Sequence, residues 1–299
     1  MKAAGASSDG LLEWLEANLE WFDPERWARY LPVRRFPGTP VLELLSVLRA
    51  LRRGPRANDV ERLVPPVLEL AEAVAGSASF DARMRRADDS FAYHVWLLAL
   101  IEELGGCAES GRAQARRLLE VGAGDVAGRY RPPAGALELG YVLELAGIDA
   151  GLPRTAELYR RCAPHFSADP VHLTDGDAYG ITHILFYATD FGAQRPDGPD
   201  RGRTVLRLLG TYLAEADFDL SAELLFCGRI LGLDGHRFVE HGHRSLAAAQ
   251  HTDGAMPSRL FDPVTAAGAT GERARAYVFG TCYHPTIAAA LAVAGGGPG

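Results

Sequence analysis

One apolar stretch of the chain carries three polar side chains at a spacing that would let them act together. The stretch THILFYATDFG, residues 182–192, holds His183, Tyr187 and Asp190 at i, i+4 and i+7. In an α-helix this spacing places the imidazole, phenol and carboxylate on one face, while apolar residues cover the other faces. Such a set can bind a metal ion or transfer a proton. We therefore expect all three to be catalytic and His183 also to be a metal ligand.

The acid of this stretch is expected to need a positive partner. Asp190 falls in the last predicted turn before Gly192, where the helix dipole disfavours an anion by up to about 1 kcal/mol. A metal ion, an arginine or His183 could supply the opposite charge. The structural alternative is a buried histidine bonded to a carbonyl and an aspartate folded back onto its own turn.

Two more acids precede this stretch, in HLTDGDAYG at residues 172–180. Asp175 and Asp177 are candidate metal ligands, and Asp177 is also a candidate acid catalyst. The alternative is structural, because acids in the first turn of a helix cap it and suit its dipole.

The C-terminal segment TCYHPTIAAALAVAG, residues 281–295, supplies the next candidates. His284 precedes Pro285, and this order predicts a loop-helix junction from which the imidazole projects. We expect His284 to be a metal ligand, joined by His183, Asp175 and Asp177 around a divalent, zinc-like ion. Tyr187 or Tyr283 is expected to be a proton donor.

Helices are the elements that must position these side chains. Apolar residues recur at helical spacing through most of the chain, strand alternation is missing, and prolines and glycines divide the pattern into about twelve helices. Several apolar runs close in glycine at intervals of about 40 to 60 residues, the length of a helical hairpin. The sequence therefore predicts an all-α protein, an α/α toroid of six hairpins around a central cavity, with an open solenoid as the alternative. It forms one domain, 1–294, followed by a disordered tail, 295–299.

Composition excludes several classes of function. A net charge of -7 and a pI of about 5.7 argue against nucleic-acid or anionic-membrane partners. No apolar run predicts a membrane span, and the N-terminus does not resemble a secretory signal, so a cytoplasmic protein is expected. Lys2 is the only lysine, which removes pyridoxal phosphate and the phosphate-binding lysine loop, and no dinucleotide fingerprint predicts a nucleotide cofactor. A small-molecule or peptide substrate remains, and the oligomeric state stays open.

Two segments carry a resemblance to known toroid families. YHPTIAAALAVA, residues 283–294, resembles the last inner helix of the protein prenyltransferase β-subunit, in which His284 would match a zinc-binding histidine. TDGDAY, residues 174–179, resembles the DGCY segment of that family, but Asp177 replaces its cysteine. The same residues are similar to the DxDD motif of class II terpene cyclases, with Ala178 in place of the fourth acid. The chain also resembles uncharacterised actinobacterial natural-product pathway proteins with a THxxFYxTDFG phrase.

These features lead to three functional hypotheses. The first is a metal-dependent, zinc-like enzyme of specialised metabolism that performs cyclisation or group transfer on a small-molecule or peptide intermediate in the toroid cavity. The second is a metal-free acid/base cyclase or isomerase similar to the class II terpene cyclases. The third is a non-catalytic helical binding or scaffold protein.

Overall fold

A computed structural model describes residues 6–125, 131–196 and 201–296. These residues form sixteen α-helices and no strand. The α-helices are α1 (Ser8–Ala17), α2 (Pro24–Tyr30), α3 (Thr39–Leu51), α4 (Ala57–Val60), α5 (Val64–Ala75), α6 (Ala78–Arg86), α7 (Phe91–Glu103), α8 (Glu109–Glu120), α9 (Pro133–Leu145), α10 (Thr155–Arg161), α11 (Asp175–Ala188), α12 (Gly202–Ala214), α13 (Phe218–Ile230), α14 (Arg237–Ala249), α15 (Pro263–Gly268) and α16 (Gly271–Ala294). Short 3-10 helices cover Leu19–Phe22, Ala123–Asp125, Ala163–Phe166 and Pro170–His172. The all-α class predicted from the sequence is confirmed.

Six helices contact one another in a closed succession. In chain order these are α3, α7, α9, α11, α13 and α16, and α16 packs back against α3. Six others pack onto this set from outside: α1 against α16, α5 against α3 and α7, α8 against α7, α10 against α9 and α11, and α12 and α14 against α13. These twelve helices support the predicted toroid, which stays a prediction. The remaining four, α2, α4, α6 and α15, are short additions to it.

The apolar pattern explains which helices belong to the inner set. Helix α7 buries nearly every position from Phe91 to Ile101, so it is apolar around its whole circumference and must be covered on all sides. Helix α14 buries only Val239, Gly242 and Leu246, which form a single stripe. A helix with one apolar stripe can lie at the periphery, where its polar face meets water.

Helix α16 does not begin at His284 and Pro285, as the sequence predicts, but thirteen residues earlier at Gly271. Pro285 lies inside the helix and has no N–H to donate to the carbonyl of Thr281. That carbonyl instead accepts a hydrogen bond from the backbone N–H of Ser258 at 3.1 Å. The proline is therefore tolerated, and His284 projects from a continuous helix.

Two further findings concern α16 and the segment after it. Among the described residues α16 alone is long and apolar enough to cross a membrane, and 67 % of its most apolar window is buried, as in the core helix of a soluble protein. Length and composition of one such helix are weak support for a span.

Of the predicted tail, Gly295 is buried and its carbonyl accepts a hydrogen bond from Arg229 at 2.6 Å. Residues 297–299 lie outside the described ranges.

Candidate functional site

A cavity of about 360 Å³ lies at the centre of the closed succession of helices. Each of the six helices contributes to its wall. One residue from each, in chain order, is Glu43, Trp96, Glu138, His183, Glu223 and His284. The volume suits a small molecule, and polar groups converge on it from several directions, as in most ligand sites.

Two carboxylates and an imidazole form a cluster at one side of this cavity. Asp219 and Glu223 are one turn apart on α13, so both point to the same face, and α13 packs against α16. His284 Nδ1 lies 2.7 Å from Asp219 Oδ1, and its Nε2 lies 3.8 Å from Glu223 Oε1. The potential ligand atoms all lie within 4.8 Å of one another. His183 on α11 adds a second imidazole, with Nε2 at 3.9 Å from Glu223 Oε1.

Neighbouring hydroxyls orient the two carboxylates. Thr182 is hydrogen-bonded through its hydroxyl to Glu223 Oε2. Tyr179 donates its hydroxyl to Asp219 Oδ2 at 2.9 Å. Because Thr182 engages one oxygen of Glu223, the other oxygen, Oε1, is left facing the two histidines.

Burial and mutual charge shift the pKa values of the cluster. Burial raises the pKa of Glu223 to about 7, although the charge of His284 opposes the shift. Burial alone would lower the pKa of His284, but the charge and hydrogen bond of Asp219, with help from Glu43 and Glu223, raise it to about 10. Without a bound metal ion, His284 therefore stays protonated at neutral pH and Glu223 is partly protonated.

His183 behaves in the opposite way. The surrounding protein lowers its pKa to about 4, and repulsion from His284 adds to the effect. The imidazole lies deep in the molecule, but 44 % of its side-chain surface faces the cavity, where water limits the desolvation. His183 is therefore neutral at pH 7 and has a free lone pair on one ring nitrogen.

This donor set fits a divalent metal ion. Imidazole nitrogen and carboxylate oxygen are ligands of zinc and of several other divalent transition metals. Asp219 accepts the Nδ1–H of His284, which leaves the lone pair of Nε2 directed toward Glu223. A carboxylate that holds a histidine in this way is the usual second partner of a metal-binding imidazole. Asp219, Glu223 and His284 are thus a candidate metal-binding triad, with His183 beside them.

The residues of the predicted stripe do not all reach this cavity. His183 and Tyr187 line it, and the Tyr187 hydroxyl donates to Glu138 Oε1 at 3.1 Å. Asp190 instead follows the end of α11 at Ala188, with a left-handed φ of 49°. Its carboxylate turns to Arg49, at 2.5 and 3.2 Å, and accepts the Tyr141 hydroxyl at 3.0 Å. The prediction that Asp190 shares the His183 stripe is wrong, and an arginine, one of the partners expected for it, is found at this position as Arg49.

The two upstream aspartates are also placed away from the cavity. Asp177 is exposed and forms a capping box with Thr174, whose backbone N–H donates to Asp177 Oδ2 at 2.9 Å. This hydrogen bonding lowers the pKa of Asp177. Asp175 pairs with Arg259, which lowers its pKa, and accepts the Tyr212 hydroxyl at 3.1 Å. Their predicted roles as ligands, and that of Asp177 as catalyst, do not fit these positions, because first-turn acids stay at the helix end.

Tyr283 lies in the aromatic core behind the cavity wall. Its ring centroid is 5.3 Å from those of both Trp27 and Phe279, and its hydroxyl is hydrogen-bonded to Arg34. Burial raises its pKa well above the usual range, with the charge of Glu43 adding to the shift. Consecutive helical residues point about 100° apart, so while His284 faces the cavity Tyr283 does not, and its predicted role as a proton donor does not fit this position.

The two acids of the cluster were not expected from the sequence. Asp219 and Glu223 stand at i and i+4 in DFDLSAELLFCGRI, residues 217–230. Ten of the thirteen residues of α13 are buried, Glu223 among them. An acid inside such an apolar helix is the signal that would have found them, since a buried carboxylate requires a partner.

The described residues thus form an all-α protein with a central cavity and a candidate metal-binding triad of two acids and a histidine. Residues 8–294 match the family DUF6895, a domain of unknown function, and the chain belongs to that family. No curated protein and no solved structure gives a significant match.

Proposed function

We propose that this protein is a metal-dependent enzyme of the α/α-toroid class, with a small-molecule or peptide substrate bound in the central cavity. The observation that carries the proposal is the triad Asp219, Glu223 and His284, of which Glu223 and His284 line a cavity of about 360 Å³. Acids and a histidine that converge at a cavity with shifted pKa values are typical of a functional site.

Two members of the triad, His284 through Nε2 and Glu223 through Oε1, would be ligands, and the third, Asp219, would orient His284. His183 would be the third ligand through Nε2. A divalent ion, zinc by preference, would polarise a carbonyl or lower the pKa of a bound water or thiol, which suits cyclisation or group transfer. His183 contributes its lone pair without losing a proton, because its pKa is about 4. Binding of an ion would displace one proton from His284 and, below pH 7, a second from Glu223.

Tyr187 is a candidate proton donor at this cavity. Burial and the neighbouring charge of Glu138 raise its pKa well above the usual range, so the phenol stays protonated. The hydroxyl lies on the cavity wall one turn from His183, with ring centroids 5.9 Å apart. A substrate held at the triad would therefore meet the Tyr187–Glu138 pair on the same side of the cavity.

One observation favours a metal-free acid/base enzyme as the second candidate. Glu223, with a pKa of about 7, and His284, with a pKa of about 10, lie side by side at the cavity. A carboxyl group that titrates near neutral pH is suited to general acid/base catalysis. Activity that survives a chelator would favour this candidate. The scaffold hypothesis expects a cavity filled by side chains, and the open cavity weighs against it.

The experiment is elemental analysis of the full chain, purified without chelators or a histidine tag, for the native sequence and for His284→Ala. We expect about one metal ion per chain in the native protein and its loss in His284→Ala, because the variant removes a principal ligand. His172→Ala is the matched control, since His172 is exposed on the surface.

The helical circular dichroism spectrum shows whether each variant folds. Unchanged metal content in a folded His284→Ala protein would contradict the proposed ligand set. If the native protein holds no stoichiometric metal after reconstitution with zinc, manganese or iron, the metal-dependent proposal is contradicted and the metal-free acid/base enzyme is favoured.

A further inference from the structure

Aromatic rings form one part of the cavity wall, which we call the aromatic pocket: Tyr93, Trp96, Phe186, Tyr187 and Phe191. The ring centroid of Trp96 lies 5.6 Å from that of Tyr187 and 6.2 Å from that of Phe191. Phe186 and Phe191 stack at 5.3 Å. The rings come from α7, α11 and the turn that follows α11, so the pocket is built by separate parts of the chain.

Glu138 places a carboxylate at this pocket. It projects from α9 into the cavity wall and accepts the Tyr187 hydroxyl at 3.1 Å, and the Tyr93 hydroxyl is a second hydrogen-bond partner. Within the described ranges no arginine, lysine or histidine nitrogen comes within 4.0 Å of the Glu138 carboxylate in an ion pair. Burial raises the pKa of Glu138, although its hydroxyl partners and the charge of Arg131 oppose the shift, so a cation bound beside the carboxylate would favour its charged form.

Two arginines also line the cavity, and both are engaged elsewhere. Arg34 stacks over Trp27 at 4.4 Å and is hydrogen-bonded to Tyr283. Arg35 is largely exposed and pairs with Asp89 at 2.5 Å. Glu43 lines the same cavity and adds a second negative charge. Within the described ranges neither arginine therefore forms an ion pair with Glu138, and the charge of Glu43 acts on His284. The pairing position at Glu138 is open to the cation of a ligand.

Aromatic faces attract cations through the ring quadrupole, and a buried carboxylate without an ion-pair partner within 4.0 Å can serve as their counter-ion. We propose that the aromatic pocket binds a positively charged nitrogen of the substrate, a protonated amine or a quaternary ammonium group, with Glu138 as its counter-ion. This inference rests on the proposed function to the extent that it names the substrate class for the same cavity.

The position of the pocket constrains where the substrate reacts. His183 and Tyr187 lie one helical turn apart on α11, so the pocket and the triad are neighbours along one wall. A substrate whose nitrogen occupies the pocket would place at the triad a group about one helical turn, roughly 5 Å, away from that nitrogen. A short cationic metabolite, or a peptide with a basic side chain or a free N-terminus, meets this requirement.

The test compares two probes of the same shape and different charge by isothermal titration calorimetry on the full chain. Choline carries a quaternary ammonium group, and 3,3-dimethylbutan-1-ol is its neutral isostere. We expect choline to bind at least about tenfold more tightly than the alcohol, because both the cation–π contact and the counter-ion require charge.

Glu138→Gln should weaken choline binding about tenfold and leave the alcohol unchanged, since it keeps the shape and removes the charge. Glu120→Gln, an exposed glutamate on α8, is the matched control and should change neither. If Glu138→Gln does not fold, Trp96→Leu replaces it, and the ratio of the two affinities should then fall. Equal affinities for choline and the alcohol, or a folded variant with an unchanged ratio, would overturn the proposal.

The His284→Ala protein separates this proposal from the metal proposal. The pocket contains no residue of the triad, so we expect His284→Ala to keep the preference for choline. If the native protein contains no metal but still binds choline more tightly than the alcohol, the cation site is supported and the metalloenzyme proposal is contradicted. If His284→Ala loses the metal and neither protein prefers choline, the metal site is supported and the cation site is contradicted.

Discussion

Replacing Asp190 by asparagine is expected to destabilise the fold without affecting the candidate metal site. Asp190 contacts the guanidinium of Arg49 through both of its oxygens, at 2.5 and 3.2 Å, and Arg53 at 2.9 Å. The Arg49 side chain is only 8 % exposed, and its other anionic contact is Glu103 at 3.3 Å. Asp190→Asn would therefore leave a buried cation short of negative charge.

The magnitude follows from this burial. Removing one partner of a fully buried ion pair costs about 3 to 5 kcal/mol. Asp190 is itself 22 % exposed, Glu103 remains, and asparagine can still accept one hydrogen bond. We therefore expect a loss of about 2 to 3 kcal/mol, a large share of the roughly 5 to 15 kcal/mol that stabilises a typical domain.

Urea denaturation of the native protein, Asp190→Asn, Arg49→Met and the double variant would measure this loss. Removing both partners leaves no buried charge without its partner, because Glu103 and Arg53, which lose a contact, are 43 % and 32 % exposed. The double variant should therefore be more stable than the sum of the single losses implies, by about 2 kcal/mol. Asp234→Asn is the surface control. It breaks a 3.3 Å contact with Arg229 in which the Asp234 side chain is 56 % exposed, and should cost at most about 1 kcal/mol.

Two results would refute the reasoning. If Asp190→Asn cost no more than Asp234→Asn, the Arg49 contact would not be a stabilising ion pair. If Asp190→Asn folded normally and lost its metal, Asp190 would belong to the metal site, against its position outside the cavity.

Two predictions concern the triad directly. Asp219→Asn should weaken metal affinity by about 10- to 100-fold, because Asp219 orients His284. Asp177→Asn should leave the metal affinity unchanged, because Asp177 caps a helix. Equal effects of the two variants in a zinc titration would contradict this assignment. Metal affinity should also rise with pH, since the metal-free protein holds protons that the metal displaces. With pKa values of about 4 for His183, about 7 for Glu223 and about 10 for His284, about two protons should be released per ion between pH 4 and 7, about one between pH 7 and 10, and almost none above. Calorimetry in buffers of different ionisation enthalpy would count them, and a pH-independent affinity would refute the ligand assignment.

Local sequence pattern was sufficient for the fold class and for the polar residues of the apolar helices. Helical periodicity holds almost throughout, and the all-α class follows from it. His183, Tyr187 and His284 are polar groups in apolar segments, which need a polar partner or a cavity, and all three line the cavity. Such inferences depend on one helix at a time, which is why they succeed without knowledge of the tertiary contacts.

The sequence predictions for Asp190 and Pro285 are wrong because a helix boundary or a contact with a distant residue determines where each side chain lies. Helix α11 ends at Ala188, and Asp190, Phe191 and Gly192 all have positive φ, so the i+7 position leaves the stripe. The residue that compensates Asp190 is Arg49, 141 positions away in the sequence. For Pro285 the deciding contact is the Ser258 N–H, which only the folded chain brings to the freed carbonyl. No local rule identifies such partners, because packing between helices selects them.

The free-energy cost of burying the Glu223 carboxylate is a feature from which the sequence could predict a functional site. A carboxylate in a helix with ten of thirteen residues buried costs several kcal/mol unless a cation or hydrogen-bond donors meet it. Asp219, one turn earlier, increases this cost by like-charge repulsion, so the two acids together imply a positive partner on a facing helix. In this fold that partner is the imidazolium of His284 on α16, which packs closely along α13. A divalent ion with His284 as a neutral ligand would bring more positive charge to the two acids than this imidazolium does, and for this reason we expect the cluster to select a metal over a proton at neutral pH.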